Sequence, residues 1–159
     1  MAVDVIREKG QVVGMEAMNE ISGEPFSIRS RVIANASGPW CDYLHKELFK
    51  EIRERVRTTK GIHLVIDRND LPIHYTIVGQ AVQDGRYIFA VPWRQFVFLG
   101  TTDTDYDGDP DRIPTERSDV DYLLDAFNHY FPNANLNDDK IISTFAGLRP
   151  LTYEEGKTA

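Results

Sequence analysis

Four strand-like segments follow one another between residues 62 and 102, and only short turns separate the last three. Asp84-Gly85 and Arg94-Gln95 form those turns, so an antiparallel arrangement of the last three segments is the natural one. This stretch predicts an antiparallel meander, and the rest of the chain must pack around its sheet. The four segments, rich in β-branched and aromatic residues, are IHLVID from 62, HYTIVG from 74, RYIFAVPW from 86 and QFVFLGTT from 95.

Two earlier runs and one later run also have the composition of strands. QVVGMEAM (11–18) and PFSIRSRVIANA (25–36) are joined by a turn at Ser22-Gly23 and predict a β-hairpin. The second run becomes continuously apolar from Val32 to Ala34, which predicts a strand that passes from an exposed ribbon into a buried sheet. The last strand, KIISTFAGLRP (140–150), is predicted to stop at its glycine and proline.

Two amphipathic helices complete the predicted fold. WCDYLHKELFKEIRERV (40–56) has apolar residues at spacings of three and four, which predicts one helix with a single buried stripe. The second helix begins near Thr115 or Ser118, either of which could cap it, and ends at Pro132. The fold class is therefore α+β, a mostly antiparallel β-sheet flanked by two main helices.

The composition excludes several classes of function. Hydrophobic residues make up 42% of the chain, yet no window approaches the run of about eighteen apolar residues that a membrane span requires. The net charge of −7 leaves no extended basic surface, which argues against nucleic acid as a partner. The single cysteine, Cys41, excludes an internal disulfide and fits a reducing compartment. It is interpreted as a buried structural thiol rather than a nucleophile.

The run GTTDTDYDGDPD (100–111) has five aspartates at alternate positions and resembles the start of a calcium-binding loop. When Asp103 is taken as position one, residues 103–108 fit the first six positions of the EF-hand pattern. The twelfth position, which must supply a bidentate carboxylate, is Pro114. The segment before the run has no helical period, so the entering helix of an EF-hand is missing too. A solvated acidic loop is favoured over a calcium site, and no metal site is predicted.

Arg149 is a candidate for binding an anion. It lies at one of three strand ends that carry small or glycine residues, where the backbone could approach a ligand or could simply turn. Its guanidinium could hold a phosphate or carboxylate through two parallel hydrogen bonds. A salt bridge to one of the many acidic residues is an equal alternative. The three strand ends are ANASGPW, FLGTTDTD and TFAGLRP.

His63 is a candidate general base. It lies between Ile62 and Leu64 on a predicted strand, so if those apolar residues face the core, His63 faces a cleft or the solvent. An imidazole near its neutral pKa in a cleft is the usual general base of an enzyme. A half-exposed or core histidine without a catalytic role is the other interpretation. The remaining histidines have no carboxylate or cysteine partner at zinc-binding spacing.

The motifs taken together are more specific than any one of them. In this order they resemble the central part of FAD-dependent glycerol-3-phosphate dehydrogenases and the related glycerol-3-phosphate oxidases, in the D-amino-acid-oxidase-like flavoprotein superfamily. The likeness covers nearly the whole chain, most strongly residues 30 to 151. The motifs are VIANASGPW, TTKGIHLVI, FAVPW, FLGTTDTDYDGDP, DVDYLLDAFNHYFP and STFAGLRPL.

The resemblance implies a function, a division into domains and a set of site residues. The parent protein would oxidise sn-glycerol 3-phosphate to dihydroxyacetone phosphate with hydride transfer to FAD. Residues 1–57 would be a partial FAD-domain segment, and residues 58–159 a substrate-binding domain truncated at both ends. His63 matches the catalytic histidine of the family and Arg149 its substrate-phosphate arginine. The residues implied to contact FAD are Ala36, Ser37, Gly38, Gly61 and Gly147.

This sequence departs from the family pattern in one important way. It contains no G-x-G-x-x-G, the fingerprint of the strand, turn and helix that hold the FAD pyrophosphate. The chain alone is therefore expected to bind FAD weakly or not at all and to be catalytically silent. Two alternatives stay open: a stand-alone, non-catalytic ligand-binding module, and an amine-oxidising enzyme of the D-amino-acid-oxidase type.

The resemblance also raises expectations about partners and the acidic run. The parent would pass electrons to quinone or to oxygen, form a homodimer, and reside in the cytoplasm, peripheral at the inner face of the cell membrane. Within GTTDTD, Asp103 is expected to cap or brace the turn by accepting hydrogen bonds from backbone N–H groups.

Overall fold

The structure, a computed structural model, describes residues 1–50 and 53–153. These residues form two compact units, Arg57–Leu151 and a second unit made of Met1–Val56 and the residues from Thr152 onward. The first boundary falls within one residue of the predicted one, whereas the residues after Leu151 group with the N-terminal unit. That these units are an FAD-domain segment and a substrate-binding domain remains a prediction.

The N-terminal unit contains a three-stranded antiparallel sheet in the order β1-β2-β3. A tight turn at Lys9 and Gly10, both with positive φ, joins the first two strands. The pairing of β2 with β3 runs from Gly14 opposite Arg29 to Met18 opposite Pro25, so the predicted hairpin is confirmed. The strands are β1 (Ala2–Glu8), β2 (Gln11–Met18) and β3 (Pro25–Arg29).

The predicted continuation of β3 into a buried sheet is wrong. The strand ends at Arg29, all five of its residues are exposed, and Val32 is 80% exposed. In the described part of the chain no strand pairs with residues 31–36. An apolar run becomes a buried strand only where neighbouring strands pair with its backbone and other elements cover its faces.

The predicted helix over 40–56 is also wrong in its length. A 3₁₀ turn (Gly38–Trp40), the short helix α1 (Cys41–Leu44) and one π-helical turn (His45–Phe49) are followed by Lys50 with a left-handed φ of 57°. Residues 53–55 are not helical, and 51 and 52 lie outside the described residues. The helical turns thus end with Lys50 as a left-handed C-cap, and further along the N–H groups of Arg55 and Val56 donate to the Asp42 carboxylate, at 2.9 and 3.1 Å, rather than to helical carbonyls.

The Arg57–Leu151 unit is built on a six-stranded sheet, whose two longest strands extend one residue beyond it. The strand order is β5-β6-β7-β4-β8, with β9 also paired to β4. The antiparallel pairing of β5 with β6 and of β6 with β7 confirms the predicted meander. The strands are β4 (Val56–Asp67), β5 (Ile77–Gln80), β6 (Tyr87–Trp93), β7 (Phe96–Gly100), β8 (Thr104–Asp105) and β9 (Ile141–Thr152).

The last strand does not stop where the sequence predicts. β9 continues through Gly147 and Pro150 to Thr152. In the described part of the chain it pairs with β4 alone, so it is an edge strand of the sheet. An edge strand tolerates proline because one of its sides needs no backbone N–H donors.

One face of this sheet is covered by α2 (Arg117–Tyr130), which ends just before Pro132 as predicted. Its N-cap is Glu116, and neither Thr115 nor Ser118 caps it. The Glu116 and Asp119 side chains reciprocally bind each other's backbone N–H groups in a capping box. Two 3₁₀ turns, Pro132–Ala134 and Asp138–Lys140, lead to β9. No described helix is long and apolar enough to span a bilayer.

The core lies between α2 and the sheet. Ile62, Leu64 and Ile66 of β4 are fully buried there against Leu123 and Phe127 of the helix. This single layer of helix on a mostly antiparallel sheet confirms the α+β fold class, although the first predicted helix is short. The other buried members of the core are Leu71, Ala81, Ile88, Ala90, Val97, Leu99, Leu124, Ala126 and Leu136.

Candidate functional site

The sheet face away from α2 carries the predicted catalytic histidine. Ile62 and Leu64 are fully buried on the core side of β4, while His63 is only half-buried and points from the other face. Side chains alternate along a strand, so Gly61, two residues earlier, shares the face of His63. The predicted orientation of His63 is confirmed.

The imidazole of His63 is held between a phenylalanine and a glycine. Its ring stacks on Phe145 of β9, with centroids 4.7 Å apart and planes inclined by 7°. Phe145 in turn meets Phe98 of β7 edge-on, at 5.8 Å and 85°. The register partner of His63 is Gly100, where an added Cβ would lie 2.6 Å from Nε2. The imidazole therefore occupies space that any larger residue at position 100 would take.

The environment keeps the imidazole neutral. Burial lowers the pKa of His63 below its ordinary value of 6.5, and the positive charge of Arg149 lowers it further. An imidazole with a lowered pKa is unprotonated at neutral pH and can accept a proton. A neutral imidazole is what the predicted general base requires, and the catalytic role of His63 remains a prediction.

The guanidinium of Arg149 lies over Gly61 of β4, two residues before His63. Its Nη1 donates to Asp103 Oδ1 at 3.1 Å, and its Nη2 donates to Thr101 Oγ1 at 2.9 Å and to the Thr102 carbonyl at 3.2 Å. A Cβ added to Gly61 would lie 2.7 Å from both Nη1 and Thr101 Oγ1. The guanidinium thus rests on the bare backbone of Gly61, as the imidazole rests on that of Gly100.

The structure therefore brings His63 and Arg149 together on one face of one sheet. The salt-bridge alternative for Arg149 is confirmed by its contact with Asp103, while its binding of an anion remains a prediction for a side chain that is 38% exposed. The expectation that Asp103 braces the turn through backbone N–H groups is wrong. Its carboxylate accepts from Arg149, and its carbonyl accepts a hydrogen bond from Arg86.

The predicted cofactor contacts have different surroundings. Gly147 of β9 is exposed, and an added Cβ there would meet nothing within 4 Å. Ala36, Ser37 and Gly38 lie in the N-terminal unit, where the Asn35 side chain accepts hydrogen bonds from the backbone and hydroxyl of Ser37. Their contact with FAD, like that of Gly61 and Gly147, remains a prediction.

The acidic run contributes the short strand β8 to the sheet before it continues as a loop. β8 pairs with Thr59 and Lys60 of β4, and the Asp105 carboxylate accepts from Arg57 Nε at 2.8 Å and Nη2 at 2.7 Å. Among residues 1–50 and 53–153, no group of three or more His, Cys, Asp or Glu side chains is arranged to hold a metal ion. The first two aspartates of the run are thus bound to arginines.

Some residues of the site were missed by reasoning from the sequence. Phe145 could have been found, because it lies four residues before Arg149 and alternation places both on one face of β9. Gly100 and Thr101 belong to one of the three strand ends expected near a ligand, but their positions beside His63 and Arg149 depend on the register between β4 and β7. Since β4 and β7 are not consecutive strands, no hairpin turn between them fixes this register.

Replacing Gly61 by Ala is expected to displace the guanidinium of Arg149 without unfolding the chain. The new methyl group would overlap the terminal nitrogens of Arg149 and the hydroxyl oxygen of Thr101, which are side-chain atoms that can move away, and not the backbone. The hydrogen bonds to Thr101 and Thr102 would then be lost. The Arg149 Nε–Hε resonance in an NMR spectrum should shift, while the backbone amides of β4 keep their dispersion.

Gly147→Ala is the matched control for this substitution. It adds the same methyl group to β9, where the space is open. We expect the Arg149 resonance to stay in place in that variant. Equal shifts in the two variants, or none in Gly61→Ala, would show that Gly61 does not support Arg149.

The chain matches one protein-family model over nearly its whole length. The model described as "FAD dependent oxidoreductase" matches residues 1–158. The chain belongs to this family. Within the FAD-dependent oxidoreductases, it is 41% identical over 149 residues to the aerobic glycerol-3-phosphate dehydrogenase of Staphylococcus haemolyticus strain JCSC1435. It is 40% identical over 147 residues to the aerobic glycerol-3-phosphate dehydrogenase of Staphylococcus aureus strain USA300.

The fold agrees with that of a solved member of the family. The structure of the glycerol-3-phosphate dehydrogenase from Bacillus halodurans, complexed with FAD, superimposes with a TM-score of 0.86 at 35% identity. The match covers 98% of this chain and 31% of that one. The alignments with the two staphylococcal relatives cover 94% and 92% of this chain. This FAD-dependent oxidoreductase chain spans only about a quarter of their length, 27% and 26% respectively.

Proposed function

We propose that this chain supplies the substrate-binding sheet of an FAD-dependent enzyme that oxidises sn-glycerol 3-phosphate to dihydroxyacetone phosphate. The observation that carries the proposal is the placement of a half-buried His63 and a half-exposed Arg149 on one sheet face, each above a glycine. Two relatives named for this activity, at 41% and 40% identity, support it.

The two side chains divide the chemistry between binding and proton transfer. Arg149 binds the phosphate through charge-assisted hydrogen bonds, which fixes the distance between the phosphate and the reacting carbon. His63, neutral because its pKa is lowered, accepts the proton of the C2 hydroxyl. The hydride from C2 requires an acceptor, and FAD supplies that acceptor when it is bound. One alcohol thus yields one ketone, one proton on His63 and one transferred hydride.

The residues around Arg149 fit part of FAD. The exposed backbone of Gly147 leaves room for a flat ring to approach β9, whereas Gly61 is covered by the guanidinium of Arg149. Within the unit that contains Arg149 we assign the ring contact to Gly147 first, and the FAD contacts that the resemblance implies for Ala36, Ser37 and Gly38 belong to the N-terminal unit. The sequence contains no G-x-G-x-x-G for the pyrophosphate, so we expect the 159-residue chain alone to be colourless and inactive.

We further propose, from the family resemblance, the surroundings of the whole protein. Its electron acceptor is quinone or oxygen, and it acts as a homodimer in the cytoplasm, peripheral at the inner face of the cell membrane. Gradient fractionation of cells and light scattering of the purified protein test the location and the dimer separately from the activity.

An anaerobic reduction experiment tests the proposed reaction. The whole protein is purified, its flavin absorbance recorded, and sn-glycerol 3-phosphate added without oxygen. We expect the visible absorbance of the flavin to bleach as it is reduced, and dihydroxyacetone phosphate to form in equal amount. D-alanine serves as the competing substrate. Bleaching by D-alanine and not by glycerol phosphate would favour an amine oxidase, and a protein without flavin would favour a binding module.

A further inference from the structure

The guanidinium of Arg149 already donates to three protein oxygens. Its Nη2 donates to Thr101 Oγ1 and the Thr102 carbonyl, and its Nη1 donates to Asp103 Oδ1. A guanidinium holds a phosphate best through two parallel N–H groups, and both such pairs include Nη2. Since Nη2 has two hydrogens and two protein acceptors, a phosphate bound in this way must displace Thr101 Oγ1 or the Thr102 carbonyl from Nη2, and a phosphate that uses the pair of Nη1 and Nη2 also competes with Asp103 for Nη1.

Asp103 is the one acceptor of the three that carries a charge. Its carboxylate neutralises the guanidinium and would repel a phosphate bound beside it. The side chains of Arg149 and Asp103 are 38% and 36% exposed, at an N–O distance of 3.1 Å. An ion pair this exposed contributes little free energy, so a dianion that brings more charge can break it.

The position of the guanidinium does not depend on Asp103 alone. Thr101 Oγ1 and the Thr102 carbonyl still hold Nη2 when the carboxylate is removed, and the Thr101 hydroxyl itself donates to that carbonyl at 3.1 Å. The backbone of Gly61 still supports the guanidinium from below. Loss of the carboxylate should therefore free charge on Arg149 without releasing the side chain.

We propose that Asp103 is an internal competitor for the phosphate site, which occupies Arg149 until a phosphate displaces it and so weakens the affinity of the site. The inference rests on the proposed phosphate-binding role of Arg149. A carboxylate that merely positioned the arginine would strengthen phosphate binding. A competitor weakens it, so the two roles predict effects of opposite sign when the charge is removed.

The test is an NMR titration of this chain with inorganic phosphate and with sn-glycerol 3-phosphate, following the Arg149 Nε–Hε resonance. Asp103→Asn keeps the shape of the side chain and removes its charge. We expect it to lower the Kd of both probes by up to about fivefold. Arg149→Gln should abolish the perturbation of Thr101 and Thr102 amides that either probe causes.

Asp105→Asn is the charge-matched control. It makes the same change in net charge two residues along the chain, but Asp105 binds Arg57 and not Arg149. We expect a clearly smaller change in Kd than in Asp103→Asn. An equal decrease in Kd in the two variants would mean that the change in net charge alone explains the effect, and the competitor role would be overturned.

The remaining outcomes separate this inference from the proposed function. Unchanged or weaker binding in Asp103→Asn, with binding still lost in Arg149→Gln, overturns the competitor role and leaves Arg149 as the phosphate ligand. An Arg149 resonance that responds to neither probe in any variant overturns both. Tighter binding in Asp103→Asn alone supports both.

Discussion

Replacing His63 by Asn in the whole protein is expected to lower kcat for sn-glycerol 3-phosphate oxidation by about 10²- to 10⁴-fold, the usual contribution of a positioned base. Asparagine keeps a polar side chain of similar reach but cannot take up a proton at neutral pH. KM should change little, because the phosphate is bound through Arg149. A loss in kcat without a matching rise in KM separates proton transfer from binding.

The pH dependence of kcat/KM provides a second, independent test of His63 as the general base. Burial, and then the nearby Arg149, lower the pKa of His63 below 6.5. Above that pKa the imidazole is neutral and can accept the hydroxyl proton, whereas below it the imidazolium cannot. The kcat/KM of the wild type should therefore fall as pH falls through the lowered pKa. The profile of His63→Asn should lack this acidic limb.

His129→Asn is the matched control for this substitution. His129 is exposed on α2, which packs on the opposite face of the sheet from His63, so its replacement should leave kcat and the acidic limb unchanged. An NMR titration of this chain measures the pKa of His63 without any activity. A His63 pKa at or above 6.5, or a His63→Asn variant with nearly full kcat, would contradict the assignment.

The parts of the fold that the sequence predicts are those with local causes. The strands β5 to β7 follow from β-branched and aromatic runs separated by short turns, and so does β4 from residue 62 onward, although the strand begins at Val56, six residues before its predicted start. The orientation of His63 follows from the alternation of side chains along a strand, because the buried Ile62 and Leu64 leave it the other face. One sheet face and its imidazole are therefore predictable before any tertiary contact is known.

The parts that the sequence did not predict depend on distant groups. The helix predicted over 40–56 ends at Lys50, and the N–H groups of residues 55 and 56 bind the Asp42 carboxylate instead, a contact invisible to a 3.6-residue pattern. The partner of Arg149 is likewise set by the fold. Many carboxylates in this chain were candidates, and only the path of β7 into β8 places Asp103 beside it.

The second large effect is expected on the free energy of unfolding, when the buried ion pair between Lys60 and Asp119 is broken. The Nζ of Lys60 and the Oδ2 of Asp119 are 2.8 Å apart, and the two side chains are only 3% and 4% exposed. Burial acts to lower the pKa of Lys60, but hydrogen bonds to Asp119 and Glu116 outweigh it, so the pKa is raised. The ammonium group therefore stays charged and requires its partner.

Asp119→Ala is expected to lower the free energy of unfolding by about 3 kcal/mol, because it leaves a buried charge with an incomplete set of partners. It also removes the acceptor of the Glu116 backbone N–H, at 2.9 Å, from the capping box of α2. The exposed carboxylate of Glu116, 2.8 Å from Nζ, remains and keeps the loss near the lower end of the range for broken buried pairs. The double variant Lys60→Met/Asp119→Leu should recover much of the stability.

Urea denaturation, followed by the fluorescence of Trp93 in a Trp40→Phe background, measures unfolding of the Arg57–Leu151 unit alone. Asp121→Ala is the matched control, since it lies on the same helix but pairs with the exposed Arg117 at the surface. We expect the unfolding midpoint of Asp121→Ala to stay close to that of the Trp40→Phe chain without further substitutions. If Asp119→Ala unfolds at the same urea concentration as this control, the buried pair does not stabilise the sheet that holds His63 and Arg149. A double variant no more stable than Asp119→Ala would show that an apolar pair does not replace these two residues, which also form the helix cap and the contacts of Lys60 with Glu116 and with the Pro114 carbonyl.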